Sequence, residues 1–339
     1  MVDSFIYAFQ AITPVVLLIA LGFFLKELAF YDEVFLKQAN RLVFYVFLPV
    51  MLYMNIYEVA DLGEINWMLT GYVMLIVLGL FLFSIGVVLL WVPDHKQRGV
   101  VMQCIFRSNY AIIGLSFAQA LSGSKAVAVV GVLSAFTIPL YNVLAVLSMS
   151  IFMHERKEKT NFKEVAKKIM HNPLIIGCLL GLGTLLIRQY IPTDVNGHSC
   201  FSIREDGKFF YSFLAYLAKA STPVALIVLG GRFDFKAVKG LWKQISIGVV
   251  GRLIIAPILG IGVAYLISSQ TGLLNLGTAE YAALVGLFAS PVAVSIAVMA
   301  EEMDNDAVLA GQYVVWTNIG AIFTVFVTVV VMRMMGLLM

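Results

Sequence analysis

Val101-Met102-Gln103-Cys104-Ile105-Phe106-Arg107-Ser108-Asn109-Tyr110-Ala111-Ile112-Ile113-Gly114 is an apolar segment with a guanidinium, a hydroxyl and an amide lodged in its middle. A charge in the centre of a membrane helix costs about 2.5–3.5 kcal/mol on insertion scales, and Ser and Asn compete with the helix for its backbone groups. Far along the chain, Ser290-Pro291 interrupts a second apolar segment. Proline there removes a backbone donor and clashes with the preceding turn. Two apolar segments, each made wrong for a continuous helix near its middle, set the reading of everything around them.

Working outward, the surrounding chain has 339 residues, of which 61% are hydrophobic and 13% charged, with a mean hydropathy of +0.93. Since a span takes about 20 mostly apolar residues, the composition describes an all-α polytopic membrane protein with roughly ten spans and no large soluble domain. A disordered chain, a nucleic-acid binder with a basic domain and a disulfide-stapled secreted fold are excluded by the same numbers. Cys104, Cys178 and Cys200 form no CxxC, and His95, His154, His171 and His198 fall in connections or at span ends. Neither a metal site nor a disulfide framework is expected, and no cofactor is implied. Asp3 stands where a signal peptide carries basic residues, and the apolar run continues past Leu25 without a small-residue cleavage site. It reads as an uncleaved first span.

Ten apolar windows are expected to span: 8–25, 35–57, 67–91, 99–120, 126–152, 173–190, 211–231, 243–268, 278–300 and 307–332. The connections after odd-numbered windows hold fifteen Lys and Arg, among them Lys26, Lys37, Arg41, Lys96, Arg98, Arg232 and Lys236. Those after even-numbered windows hold Lys125, Arg204 and Lys208. The positive-inside rule then places both termini outside and the odd connections, including the basic linker 154–172, in the cytoplasm. The linker divides the chain into units 1–153 and 173–339, and each begins alike. Pro14 is followed eight residues on by Gly22 and Pro173 by Gly181, and Pro49-Val50 recurs as Pro223-Val224. The Pro-to-Pro spacing is 15 residues longer in the second unit, a difference absorbed by the polar insertion Thr193 to Lys208. Five spans is an odd number, so the second unit would enter the membrane inverted, as in secondary transporters that bind near the bilayer midplane.

The run Arg107-Ser108-Asn109-Tyr110-Ala111-Ile112-Ile113-Gly114 resembles the fourth-span motif of the auxin efflux carrier family of bacterial permeases, which includes the plant PIN exporters. Leu42 to Pro49, Asn172-Pro173-Leu174, Pro223-Val224-Ala225-Leu226 with Gly230-Gly231, and Ser290-Pro291-Val292 with Met299-Ala300-Glu301 extend the resemblance over the whole chain. It implies a ten-helix elevator-type transporter: a scaffold domain of spans 1, 2, 6 and 7, and a transport domain of spans 3–5 and 8–10. Broken crossover helices 4 and 9 would hold the substrate, and a homodimer would form through the scaffold. The family asparagine that matches Asn109 contributes to its anion site. Ser108 stands where a proline often precedes it. The short central loop looks like the bacterial branch and hence an inner-membrane location.

An organic carboxylate at the midplane needs donors, which half-helix N-termini and Asn, Ser or Thr side chains supply. Ser108, Asn109, Ser290 and the amides after Pro291 are expected in that role, with Asn142 and Thr317-Asn318 facing the crossover. Arg107 would neutralise the anion, or else snorkel or pair with an acid. Lys219, Arg252 and Glu280 are the other intramembrane charges. Arg252 is expected to pair with a carbonyl or carboxylate, and Glu301, Glu302, Asp304 and Asp306 to form a solvated helix end. No acid stands beside Asn109 or Pro291. Coupling is thus open between protons through Glu280, sodium on carbonyls, and uncoupled anion flow. HExxH, GxSxG and an aspartate pair are missing, so an enzyme is not expected. A channel or sensor is the rival class. Within transporters the choice lies between small dicarboxylates such as malate or malonate and an indole carboxylate, for which Tyr110 and Tyr141 offer rings.

Overall fold

The computed structural model describes residues 2–59, 66–153, 170–188 and 202–338. Eleven helices can be followed among them: α1 (Val2–Glu27), α2 (Glu33–Tyr57), α3 (Trp67–Trp91), α4 (His95–Phe106), α5 (Tyr110–Ile151), α6 (Pro173–Arg188), α7 (Lys208–Gly231), α8 (Ala237–Thr271), α9 (Thr278–Phe288), α10 (Ser295–Glu302) and α11 (Ala307–Met334). Among the described residues there is no strand, only one isolated antiparallel bridge between Ser108 and Val292. Residues 154–169 of the basic linker, with His154, lie outside the described residues. So do 189–201, which include the first part of the polar insertion, His198 and Cys200.

Local chemistry fixes where the helices start. Asp32, Asn66, Asp94, Asn172 and Asp306 each accept a backbone N–H from the first turn that follows, at 2.8–3.0 Å. This satisfies one of the orphan donors of each helix at a polar boundary. Two prolines inside helices have π-turns beside them, whereas Pro14, Pro139 and Pro223 do not. Val43–Phe47 precedes Pro49 in α2, while Gly251–Ile255 and Ile258–Gly262 flank Pro257 in α8. Tyr72 of α3 donates to the Gly260 carbonyl of the last turn at 2.7 Å, meeting an acceptor that a regular helix would have paired internally.

Among the described residues, seven helices are long and apolar enough to cross a bilayer unaided: Phe9–Glu27, α2, α3, α5, α7, α8 and α11. Two of the three other windows are cut by a break in the backbone. Window 99–120 is cut at Arg107 to Asn109, and its second half continues as α5, where Ser122 and Gly123 leave helical geometry. Gly123 has φ +63° and ψ −151°, a conformation that a side chain opposes. Window 278–300 is cut between Phe288 and Ser295. The α6 window is a shorter apolar helix of 16 residues.

Small residues set the closest packing. α1 packs on α7, where Gly22 lies against the backbone of Ile227, and α2 packs on α6, where Gly177 and Gly181 lie against Pro49, Tyr53 and Ile56. α5 packs on α9, and there Gly114 and Gly286 face each other. A Cβ on either would sit 2.5 Å from the other's carbonyl oxygen. Close backbone approach of this kind is how helices associate without a hydrophobic driving force. The buried charged side chains among the described residues are Arg107 and Arg252.

Gly286→Ala is therefore expected to cost about 1–3 kcal/mol by overpacking, read as a lower thermal midpoint of the purified protein in detergent. Gly79→Ala, where nothing lies within 4 Å, provides the contrast and should hold or raise that midpoint. Equal midpoints for the two variants would rule out a tight Gly114–Gly286 contact.

Candidate functional site

α4 stops at Phe106 because Arg107, with ψ 120°, turns extended, and Asn109, with ψ 50°, begins the next helix. α9 stops at Phe288, and α10 resumes at Ser295. The two gaps run alongside one another. Asn109 N–H donates to the Pro291 carbonyl at 2.8 Å, next to the Ser108–Val292 bridge. Val292 N–H donates to Thr317 Oγ1 at 3.2 Å, and Thr317 donates in turn to the Tyr313 carbonyl. Extended backbone deep in an apolar interior is tolerated when its groups are met in this way.

Interrupted helices leave carbonyls at their C-terminal ends and amides at their N-terminal ends. Arg252, fully buried, takes the carbonyls. Its Nε donates to Ser290 at 2.9 Å, its Nη2 to Leu287 at 3.0 Å and Phe288 at 2.6 Å, and its Nη1 to Phe106 at 3.4 Å. One guanidinium thus closes the negative ends of both α4 and α9. The amide ends face elsewhere. Tyr110, Ala111 and Ile112 at the start of α5, and Ala293, Val294 and Ser295 at the start of α10, line a common cavity of about 60 Å³. That is room for a handful of waters at ~10–15 Å³ each.

Arg107, Ser108, Asn109, Tyr141 and Asn142 share this cavity, with Leu48, Met51, Asn55, Thr222 and Ala225 opposite. No acidic residue lines it. Arg107 donates to Gln103 Oε1 at 3.0 Å, Asn142 Oδ1 at 2.8 Å and Met299 Sδ at 2.9 Å, all neutral groups. Asn142 is oriented by its own bond to the Ile138 carbonyl at 2.8 Å. Asn55 Nδ2 and Asn109 Nδ2 are buried with no hydrogen-bond partner, and Ser108 Oγ and Tyr141 Oη have none but each other. Each unmet polar group costs about 1–3 kcal/mol. They share the cavity with an unneutralised guanidinium and two helix N-termini, all of positive electrostatic character.

The remaining candidates lie away from this wall. Ser290 Oγ turns back to the Gly286 carbonyl, and Pro291 holds the gap by its own carbonyl. Asn318 is buried on α11 with its amide on Val314, and its Oδ1 has no partner. Lys219 is exposed on α7. Glu280 accepts the Gly277 N–H at 2.8 Å as a helix cap and does not line the cavity. The acids Glu301, Glu302, Asp304 and Asp306 are not simply solvated: they meet Arg232, Asn40, Lys96 and Gln97 respectively. Asn55 and Thr222 were not anticipated. Asn55 alone had a signal, a carboxamide within the apolar run Val50 to Ile56.

The fold defines a polytopic helical membrane protein, and the cavity is an interior pocket with a buried guanidinium in its wall. The family described as "Membrane transport protein" matches residues 7–329. An "Uncharacterized transporter" of Methanothermobacter thermautotrophicus is 22% identical over 318 residues, covering 91% of this chain and 93% of the relative. The chain belongs to that family, the auxin efflux carrier and PIN-like group of membrane transport proteins.

The two buried arginines should part company on substitution. Arg252→Met strips four carbonyls of their donor and should destabilise by more than ~3 kcal/mol. Arg107→Met removes an uncompensated charge and should shift stability by less than ~1 kcal/mol. Urea or thermal unfolding in detergent decides, and comparable losses would contradict the division of labour.

Proposed function

We propose that this transporter carries small organic anions, carboxylates foremost, by alternating access, with the substrate held between the gap at Arg107 to Asn109 and the start of α10. The observation that carries the reading is the cavity itself: one guanidinium, four polar groups with no partner beyond one another and two helix N-termini, with no acid in its walls. Arg107 supplies charge, Asn109 and Ser108 donate from the gap, and Asn142 positions Arg107. Thr317, with Asn318 beside it, braces the second gap from behind.

Ten passes in two inverted units follow if α4 and the first part of α5, up to the Gly123 kink, count as one interrupted pass, and α9 with α10 as another. The reciprocal packing supports it. Gly22 of the first pass meets α7, and Gly181, its counterpart in the sixth, meets α2, as exchange of two inverted repeats requires. On this reading α1, α2, α6 and α7 form a scaffold against which the remaining helices slide as an elevator. The substrate is small: a cavity of about 60 Å³ favours a small acid over an indole carboxylate, and the rings are engaged, Tyr141 against Phe106 and the Tyr110 hydroxyl towards Val130. With Glu280 committed to a helix cap, the inside-negative potential, ~2.3 kcal/mol per charge per 100 mV, suffices to drive an anion outward.

Uptake of labelled malate, malonate and indole-3-acetate into proteoliposomes, with and without sodium and pH gradients, tests this. Saturable flux of the small acids is expected, reduced at least ~100-fold by Arg107→Met or Asn109→Ala in protein that keeps its thermal midpoint. Undiminished flux in Arg107→Met would sink the anion-site reading.

A further inference from the structure

A second cavity of about 370 Å³ lies beyond the first, and Ala225 belongs to the wall of both. Its sides come from four helices. Glu33, Lys37 and Asn40 are on α2, Val228 and Leu229 on α7 with Arg232 just beyond it, Ala297 and Glu301 on α10, and Val308 on α11. It sits on the side of the molecule that carries the basic connections, so it forms a vestibule leading from that side to the anion cavity.

The groups that cross this vestibule are few. Arg232 forms an ion pair with Glu301, their side chains about one-quarter and one-fifth exposed. Asn40, buried on α2, donates to Glu302 Oε1 at 3.1 Å and to the Val298 carbonyl at 3.4 Å. Both connections run from the α2–α7 side to the last turn of α10. Glu301 and Glu302 stand at the C-terminus of that helix, where the helix dipole disfavours negative charge. Two acids in the wrong place for their own helix, each held by a group from the opposite wall, are what a contact between separable bodies looks like.

We propose that Arg232–Glu301 and Asn40–Glu302 form a latch that holds α10, and the anion cavity it begins, in the arrangement that opens to the basic side. The latch rests on the two-body reading of the transport cycle, and it must break for the cavity to reach the other side. Arg232 Nε has no partner, so the ion pair holds at a single geometry and parts without stranding a second bond. α10 is short, and its other end is tied through the gap to Asn109 and Thr317, so release at Glu301 frees it from the α2–α7 side alone.

The test follows vestibule exposure directly and needs no substrate. Val308→Cys, on the vestibule wall, is placed in a protein whose Cys104, Cys178 and Cys200 are replaced by Ala, and is labelled with a membrane-impermeant maleimide from the basic-connection side. Arg232→Gln and Glu301→Gln should each slow labelling by about three- to tenfold, as expected for losing a part-buried ion pair. The exchange Arg232→Glu with Glu301→Arg should restore the rate to within about twofold. Asn40→Asp, which sets a like charge against Glu302, should slow it independently. Parental rates in the single variants, or an exchange no better than the singles, would overturn the latch. If the latch variants label at the parental rate while Arg107→Met abolishes malonate flux, the latch falls and the anion site stands. If labelling moves as stated but no organic anion is carried, the latch stands and the substrate reading falls.

Discussion

The Arg252 guanidinium is what makes two interrupted helices tolerable in this protein. A helix that stops inside an apolar interior leaves up to four carbonyls without donors, each a cost of about 1–3 kcal/mol where water is excluded. α4 and α9 stop beside one another, and Arg252 bonds the carbonyls of Phe106, Leu287, Phe288 and Ser290. Its helix is adjusted to the task. Arg252 is carried by the π-turn Gly251–Ile255, and Gly251 lets Ile105 of α4 approach. With the negative helix ends met by a resident cation, the positive ends of α5 and α10 are left facing a cavity with no acid in it. A permanent cation on one side and, on the proposed reading, room for a mobile anion on the other are two consequences of one pair of breaks.

The breaks themselves were legible in the sequence. Arg107-Ser108-Asn109 and Ser290-Pro291 disrupt helices through local sterics and local hydrogen bonding, which depend on neighbours in sequence. Helix starts are set by equally local chemistry, since Asp32, Asn66, Asp94 and Asp306 act within their own first turns, but hydropathy windows do not use it. What tertiary contact decides was not legible. Nothing near position 252 shows which carbonyls lie across from it. Asn55 and Thr222 gain meaning only when α2 and α7 are laid against the gap. Glu280 carries a second local signal: its place three residues after Gly277 is a capping position, which the reading as an intramembrane charge did not use. The kink at Ser122 and Gly123 was hidden, because hydropathy is blind to φ and ψ.

Arg107 also bears on why such a site suits carriage rather than tight capture. It is not a bare charge waiting for a partner, because Gln103, Asn142 and Met299 already hold three of its contacts. On the proposed reading, an arriving anion gains the difference between carboxylate and these neutral partners, not the whole energy of a buried ion pair. The groups on Asn55, Asn109, Ser108 and Tyr141 add to binding in proportion to how well the ligand reaches them, and they discriminate against ions too small to do so. A carrier must release on the far side, so its affinity has to stay well short of the limit that charge and burial would allow. Neutral groups hold the guanidinium in place when the cavity is empty, which keeps the cavity formed between loads and lowers what the next anion gains. The same three contacts that make an unpaired buried arginine bearable thus also keep the site from binding its cargo too well to let it go.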